Sequence, residues 1–313
     1  MATTYTEHLQ IPKHDPTDPF NIALINEMAD KTEAGILTAY RGRAAYNLLD
    51  NSNFAVNQRG KTSYTGTGYG LDRWRTNFSG DTVEVLAGGV TNTVASTTVG
   101  WHLHQIIDNG AELVGKSITA ACNAAAITGA LYLLISCRNS SDTEIEHASQ
   151  KIAAGLNVTS LTVPSGTVYI RVGVYAYATS VAVGDSVTLK WVSLYEGEYT
   201  AETLPTYMPK GYAAELAECQ RYYRNYGMIQ FPATITSAGW TSVGIDYTGM
   251  RVTPTVQYEL AGLYVGNSRI TSVSQITARA LPASELLVDT GASITAFQVA
   301  TIRFNSLALS SDL

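Results

Sequence analysis

Charge is scarce in this sequence. Lys, Arg, Asp and Glu make up 15% of its 313 residues, where a soluble domain typically carries about 25%. The balance is acidic, with a formal net charge of −6 and pI about 5.4, and Lys and Arg never gather into a cluster. A nucleic-acid partner is therefore not expected, because phosphate binding needs clustered basic side chains. Cysteine is nearly absent. Cys122, Cys137 and Cys219 are an odd number without CxxC spacing, which argues against a disulfide framework or a structural zinc site. They read as small buried apolar residues of a chain assembled in a reducing cytosol. Long apolar runs are missing too. Ile118 to Cys137 comes nearest to a membrane span, but Asn123, Thr128 and Gly129 interrupt it. Two buried strands joined by a turn fit it better, so no membrane insertion is expected. The opening MATTYTEHLQ lacks the basic and then apolar organisation of a signal peptide.

Catalytic signatures are also lacking. There is no GxSxG, HExxH, P-loop, or GxGxxG followed by an acidic residue in a supporting context. The GTGYG segment, Gly66–Gly70, has no strand-to-helix setting to hold a phosphate. Asn77-Phe78-Ser79 and Asn157-Val158-Thr159 act as glycosylation sequons only in a eukaryotic secretory protein, which nothing here suggests. Asp142, Glu144 and Glu146, followed by His147, place three carboxylates on one side of an extended strand. Glycosidases set two carboxylates across a scissile bond, normally from different elements. A spacing of two reads instead as a solvated sheet edge that discourages edge pairing. The expectation is a protein without enzymatic activity and without a cofactor.

What fills the space left by charge is Thr, Ser, Val, Ala, Gly and 19 Tyr, a composition suited to short half-buried strands. The chain is organised around Tyr46–Trp74, YNLLDNSNFAVNQRGKTSYTGTGYGLDRW, which passes through turn residues and Gly-Tyr alternation to a tryptophan. The fold expected is mainly β, in two domains behind a tail. Residues 1–45 read as an attachment segment. Asp18 is a good N-cap and Pro19 a good first helical residue. The helix after them carries Ile22, Ile25, Met28/Ala29 and Thr32 on one side, with Gly35 as its natural stop. A lone helix with a narrow apolar stripe is marginal, so it is expected to pack on copies of itself or on a larger assembly, the alternative being its own domain.

Residues 46–200 read as a jelly-roll β-sandwich of short strands between turns. Its clearest strand, Val168 to Ala178, alternates an aliphatic face with one of Tyr169, Arg171, Gly173, Tyr175 and Tyr177. Ser186 to Tyr195 places Val187, Leu189 and Trp191 on one face. Residues 201–313 read as a C-terminal β-domain, with a short helix at about 213–226 ending at Gly227 and then a β-sandwich. Its best strand is Val299–Asn305, with Ala300, Ile302 and Phe304 alternating against Val299, Thr301, Arg303 and Asn305.

Several motifs resemble bacteriophage and prophage tail-fibre and receptor-binding virion proteins. NLLDNSNFAVNQRG…YTGTGYGLDRW at Asn47–Trp74 is similar to the opening of carbohydrate-binding-module-like jelly rolls in such proteins. WVSLYEGEYTAETLPTYMP at Trp191–Pro209 resembles the closing strand, and ELAECQRYY at Glu215–Tyr223 resembles the start of their terminal domain. GMRVTPTV at Gly249–Val256 matches a phrase of that same domain. DPFNIALINEMADKTEAGI resembles the helical openings of phage tail proteins. The resemblance implies a virion appendage, often homotrimeric, assembled in the bacterial host cytoplasm. Such a protein mounts on tail, baseplate or capsid proteins, here through residues 1–45, and binds bacterial surface glycans multivalently and without catalysis. A purely structural head fibre, decoration or baseplate spacer is the alternative, and a polysaccharide depolymerase a third.

Sugar recognition needs aromatic platforms beside convergent polar groups. Tyr69, Trp74, Trp101, Tyr169, Tyr175 and Tyr177 are the aromatic candidates, with Asp72, Arg73 and Arg171 as hydrogen-bonding ones. For Trp74 and Trp191 the competing role is core packing, and for the tyrosine face a subunit interface. His102-x-His104 places two imidazoles on one side of a strand, within reach of a single ion. Around a threefold axis six nitrogens would converge, as in the octahedral sites of some phage fibres. The plainer alternative is two ordinary surface histidines.

Overall fold

The computed structural model describes residues 4–5, 7, 11–13, 22–41, 46–177, 181–237, 240–265, 268–270, 273–279, 285–290 and 299–311. The chain is mainly β, as its composition implies. Two short strands, β1 (Thr4–Tyr5) and β2 (Pro12–Lys13), pair antiparallel ahead of a helix, α1 (Ile22–Arg41). The expected helix start, Asp18 and Pro19, lies outside the described residues, as do the Ile22 side chain and Ala178. The helix continues through Gly35, where a stop was expected. No Pro lies between Gly35 and the helix end at Arg41, after which Gly42 follows, and a single interior Gly costs only about 1 kcal/mol against Ala. Ile25, Met28 and Ile36 on this helix are exposed.

Twelve strands build the first domain: β3 (Ser63–Thr65), β4 (Gly68–Tyr69), β5 (Arg75–Thr76), β6 (Thr82–Leu86), β7 (Gly89–Thr93) and β8 (Gly100–Ile107), then β9 (Ser117–Ile127), β10 (Tyr132–Arg138), β11 (Glu144–Lys151), β12 (Gly155–Thr162), β13 (Tyr169–Ala176) and β14 (Ser186–Glu196). They form two six-stranded antiparallel sheets. The front sheet has the order β11-β10-β13-β8-β5-β4 and the back sheet β12-β9-β14-β7-β6-β3. From β8 onward the chain crosses between sheets at every connection but the β10–β11 hairpin, a jelly-roll pattern. The apolar stretch Ile118–Cys137 becomes β9 and β10, one strand in each sheet.

The two inner faces share one core. β13 contributes Ile170, Val172, Val174 and Ala176, while β10 contributes Leu133, Ile135 and Cys137. Across from them lie Ile118, Ala120, Cys122 and Ala124 of β9 and Val187, Leu189, Val192 and Leu194 of β14. All three cysteines are buried and unbridged. Burial pushes the Cys122 thiol up to about 12 and that of Cys137 to about 11, so both behave as small apolar groups. One residue departs from the expected alternation. The β14 register shifts between Leu189 and Trp191, and this bulge turns Trp191 away from Val187 and Leu189. Its indole stacks on Tyr207 instead, with centroids 4.4 Å apart and planes 5° from parallel.

The segment Tyr46–Trp74 locks the sandwich to the C-terminal domain. Asn51 is fully buried with φ 49°, a conformation Asn tolerates better than most residues. Its side-chain amide donates to the Val56 and Asp72 carbonyls at 2.8 and 2.9 Å, and its Oδ1 accepts from the Val56 N–H at 2.8 Å. Its carbonyl accepts from the Trp74 indole at 2.9 Å, and its N–H donates to Glu215 at 2.6 Å. Trp74 is thereby held inside the core beside Phe54, centroids 4.9 Å apart.

Glu215 sits on α2 (Tyr212–Cys219). This helix ends well short of 226, because Tyr223 onward is drawn into a strand. The C-terminal strands are β15 (Tyr223–Ser237), β16 (Trp240–Gly244), β17 (Thr255–Val265), β18 (Ser268–Ile270), β19 (Gln275–Ala278), β20 (Glu285–Asp289) and β21 (Val299–Ser310). They form a single seven-stranded antiparallel sheet, β18-β17-β21-β15-β16-β20-β19, and not the expected two-sheet sandwich. The sheet curls, since Leu263 of β17 and Ile276 of β19 share one core with Ile302 and Phe304 of β21.

Two outcomes test this junction. Asn51→Ala removes three buried side-chain hydrogen bonds and strains the left-handed backbone, and should lower unfolding free energy by about 3 kcal/mol in urea titrations. A loss below roughly 1 kcal/mol would contradict its place in the fold. Burial raises the Glu215 carboxyl above its ordinary 4.5, against the opposing Asn51 N–H and Lys210. The folded state therefore holds more protons than the unfolded one just above that value, and stability declines as pH rises through the raised pKa. Glu215→Gln should flatten this slope between pH 4.5 and neutrality; a variant retaining the full wild-type slope would refute the assignment.

Candidate functional site

The outer face of the front sheet carries most of the sequence candidates. Strand register sets them in rows. Tyr132, Tyr175 and Trp101 form one row across β10, β13 and β8. Leu134, Gly173, His104, Arg75 and Tyr69 form the next, across five strands. Ser136, Arg171 and Ile106 make a third, and Arg138 with Tyr169 a fourth. Aliphatic inward residues force the intervening side chains outward, so the alternation of β13 alone places Tyr169, Arg171 and Tyr175 together. Gly173 is required at the centre, because a Cβ there would strike the Leu103 carbonyl and lie 2.6 Å from the His104 Cα.

The aromatic rings contact one another edge to face. Tyr132–Tyr177, Tyr177–Tyr175 and Tyr175–Trp101 centroids are 4.8, 5.0 and 5.3 Å apart. Trp101 is buried at 3% exposure and closes the row beside Tyr175. Tyr132, Tyr175 and Tyr177 are half-buried, presenting one edge or face to solvent. Beside them, Asp142 bridges Arg138 at 2.8 Å and Arg171 at 2.9 Å, and the Tyr169 hydroxyl donates to it. Although desolvation acts the other way, Tyr169, Arg138 and Arg171 hold the Asp142 carboxyl below its usual range. Glu144 accepts from Ser136 at 2.6 Å and pairs with His147 at 2.9 Å.

Three expectations are corrected here. Asp72 and Trp74 are not on this face. Trp74 is in the core, and the Asp72 carboxylate is buried, accepting from the Gln58 N–H at 2.7 Å and side-chain amide at 2.6 Å. Arg73, likewise buried, donates to Asp50 and the Ile106 carbonyl at 3.0 and 2.8 Å, its guanidinium 3.4 Å over Tyr222. His102 and His104 do not share a side, because β8 bulges between Trp101 and Leu103. His102 turns inward to Asp81 at 2.7 Å, whereas His104 lies outward against Trp101 at 5.1 Å. Among the described residues no group of His, Cys, Asp and Glu side chains converges to hold a metal ion. The Asp142–Glu146 carboxylates are also divided. A bulge opposite Arg138 sets Glu144 across from Arg138 and Glu146 across from the inward-facing Cys137. The edge position of this strand was legible, and β11 does end the sheet order.

Sequence reasoning missed Tyr132, Arg75 and Arg138. Period-2 alternation through YLLISCR was the available signal for Tyr132 and Arg138. Arg75, on a two-residue strand, left none. Tyr69 sits at the end of its row, where a cavity of about 600 Å³ opens between the domains and is lined also by Arg59, Tyr64, Tyr223, Gln257 and Tyr258.

Fold and face together define a two-domain β protein with a jelly-roll sandwich whose front sheet is aromatic and arginine-rich. No family model and no curated protein matches this chain. Solved structures similar to it include the enzymatically active domain of tailspike protein 4 of bacteriophage CBA120, at 17% identity and TM-score 0.29, covering 48% of this chain. The match spans only 21% of that tailspike domain's length. A CBM4 structure is similar at 15% identity and TM-score 0.30, covering 47% of this chain and 99% of its own. TmCBM61 in complex with β-1,4-galactotriose is similar at 10% identity and TM-score 0.27, covering 49% and 100%.

His104 supplies a test of this face. Burial first, then Arg171, Arg75 and Arg138, depress its pKa well below 6.5, with Asp142 opposing. The imidazole should stay neutral at pH 6 in a ¹H–¹⁵N titration, and stability linked to it should fall as pH drops through the unfolded value. An imidazole titrating at or above 6.5 would rule out this environment.

Proposed function

We propose that this chain is a non-catalytic bacteriophage appendage of the tail-fibre or receptor-binding type that holds bacterial surface glycans. The observation that carries the reading is the outer face of the front sheet. Half-exposed Tyr132, Tyr175 and Tyr177 form a platform for the apolar faces of sugar rings, and Arg171, Arg138 and Asp142 stand beside it for hydroxyls. In this reading three copies assemble, and residues 1–45 mount them on tail, baseplate or capsid proteins. The exposed Ile25, Met28 and Ile36 of α1 support an assembly role, since an apolar stripe gains stability when covered. Linked copies would raise weak single-site affinity through effective concentration. The virion is then its location, after assembly in the host cytoplasm.

A purely structural decoration role is the second reading, favoured by the burial of Trp74 and Trp101. The two part on one experiment. The full chain, sized by light scattering, is applied to bacterial cells and cell-wall polysaccharides beside Tyr175→Ala/Tyr177→Ala. The expected result is a trimer that binds, releases no reducing sugar, and loses about tenfold in single-site affinity on losing the tyrosines. Binding that ignores the double substitution sinks the tyrosine site, and released sugar sinks the non-catalytic reading.

A further inference from the structure

Beside the aromatic rows lies a pocket of about 290 Å³ whose chemistry differs from theirs. Arg75 and Arg171 of the front sheet and Arg251 of the C-terminal domain line it, with Tyr169, Ile106 and a single carboxylate, Asp108. Three guanidinium groups face one acidic side chain, in a chain whose net charge is −6. Asp108 is committed to Arg251 at 2.8 Å and receives the Tyr222 hydroxyl at 3.3 Å. Arg171 gives one terminal nitrogen to Asp142 at 2.9 Å. That leaves the Arg171 Nε and the Arg251 Nη1 buried without an acceptor. Buried donors of charged groups are rarely left so, and the planar guanidinium fork fits the paired oxygens of a carboxylate or phosphate. The buried His104 lies close by, its pKa lowered first by burial and then by Arg171, Arg75 and Arg138.

We infer that this pocket binds the oxyanion of an acidic saccharide, a carboxylate or phosphate, while the adjacent tyrosines hold its sugar rings. The inference rests on the glycan-binding reading and adds its substrate class. Arg171 and Tyr175 point outward from the same strand, four residues and roughly 13 Å apart, so one oligosaccharide can span both. Because Arg251 comes from the second domain, the site is complete only when both domains are docked.

The test uses the full chain on immobilised bacterial polysaccharides of three kinds: neutral, uronic-acid-containing and phosphate-containing. Inorganic phosphate serves as the anion alone, read by thermal unfolding. Acidic polysaccharides should bind about tenfold tighter than neutral ones, an advantage that added salt erodes. Whether the uronic or the phosphate series leads identifies the source of the anion. Arg171→Gln and Arg251→Gln, one from each domain, should each abolish the acidic preference and the protection by phosphate. Arg171→Lys and Arg251→Lys, which keep the charge, should restore part of both and show that the fold is intact. Tyr175→Ala should weaken neutral and acidic ligands alike. Equal binding of neutral and acidic polysaccharides, or a preference untouched by both glutamine variants, overturns the inference and leaves glycan binding standing. Absence of binding to every polysaccharide overturns the glycan reading and this inference together.

Discussion

The Asn51 side-chain amide is the constraint on which the rest of this structure depends. It is fully buried, in a left-handed backbone conformation, with its oxygen and nitrogen both bonded to main chain of the same loop. A buried amide so satisfied stabilises one loop shape and penalises the others, because each alternative leaves polar groups unpaired in a low-dielectric interior. That shape aims Trp74 into the sandwich core and presents the Asn51 N–H to Glu215 of the second domain. Around it, Gln58 donates to the Tyr223 carbonyl at 2.7 Å, and the Arg59 and Arg73 guanidinium groups cover Tyr223 and Tyr222. One loop thus ties core packing to domain docking.

Docking has a consequence for the front sheet. Asp108 directly follows the sandwich strand β8, yet its ion-pair partner, Arg251, belongs to the C-terminal domain. The arginines of the outer face are therefore gathered partly by the sheet and partly by the junction. Their mutual repulsion is offset by Asp142 and Asp108, and His104 has its pKa lowered first by burial and then by these guanidinium groups. Aromatic rings held edge to face beside a buried tryptophan lose little freedom on contact with a ligand. Rigid polar and apolar groups side by side are what selective recognition requires.

Much of the fold could be read from residue order, because it depends on local physics. Low charge, abundant Tyr and β-branched residues, and frequent turn signals specify short strands. The strict alternation of residues 169–177 requires an aliphatic inner face and a tyrosine-arginine outer one whatever the partners. The interrupted run Ile118–Cys137 divides into two strands for the same reason, and a solitary apolar stripe marks α1. What only the tertiary structure decided is how those faces are counted and joined. Bulges after Trp101, after Leu189 and opposite Arg138 each insert one residue and reverse every later side chain. Counting by twos therefore puts His102, Trp191 and Glu146 on the wrong side. Trp74 and Asp72 are placed by buried hydrogen bonds to Asn51 and Gln58 that no periodicity reports. The placing of Arg251 depends on contacts between domains more than a hundred residues apart, as between Asn51 and Glu215 or Asp108 and Arg251. Periodicity reports which side of its own strand a residue takes. It carries no information about which distant chain that side will meet, and here that meeting makes the pocket.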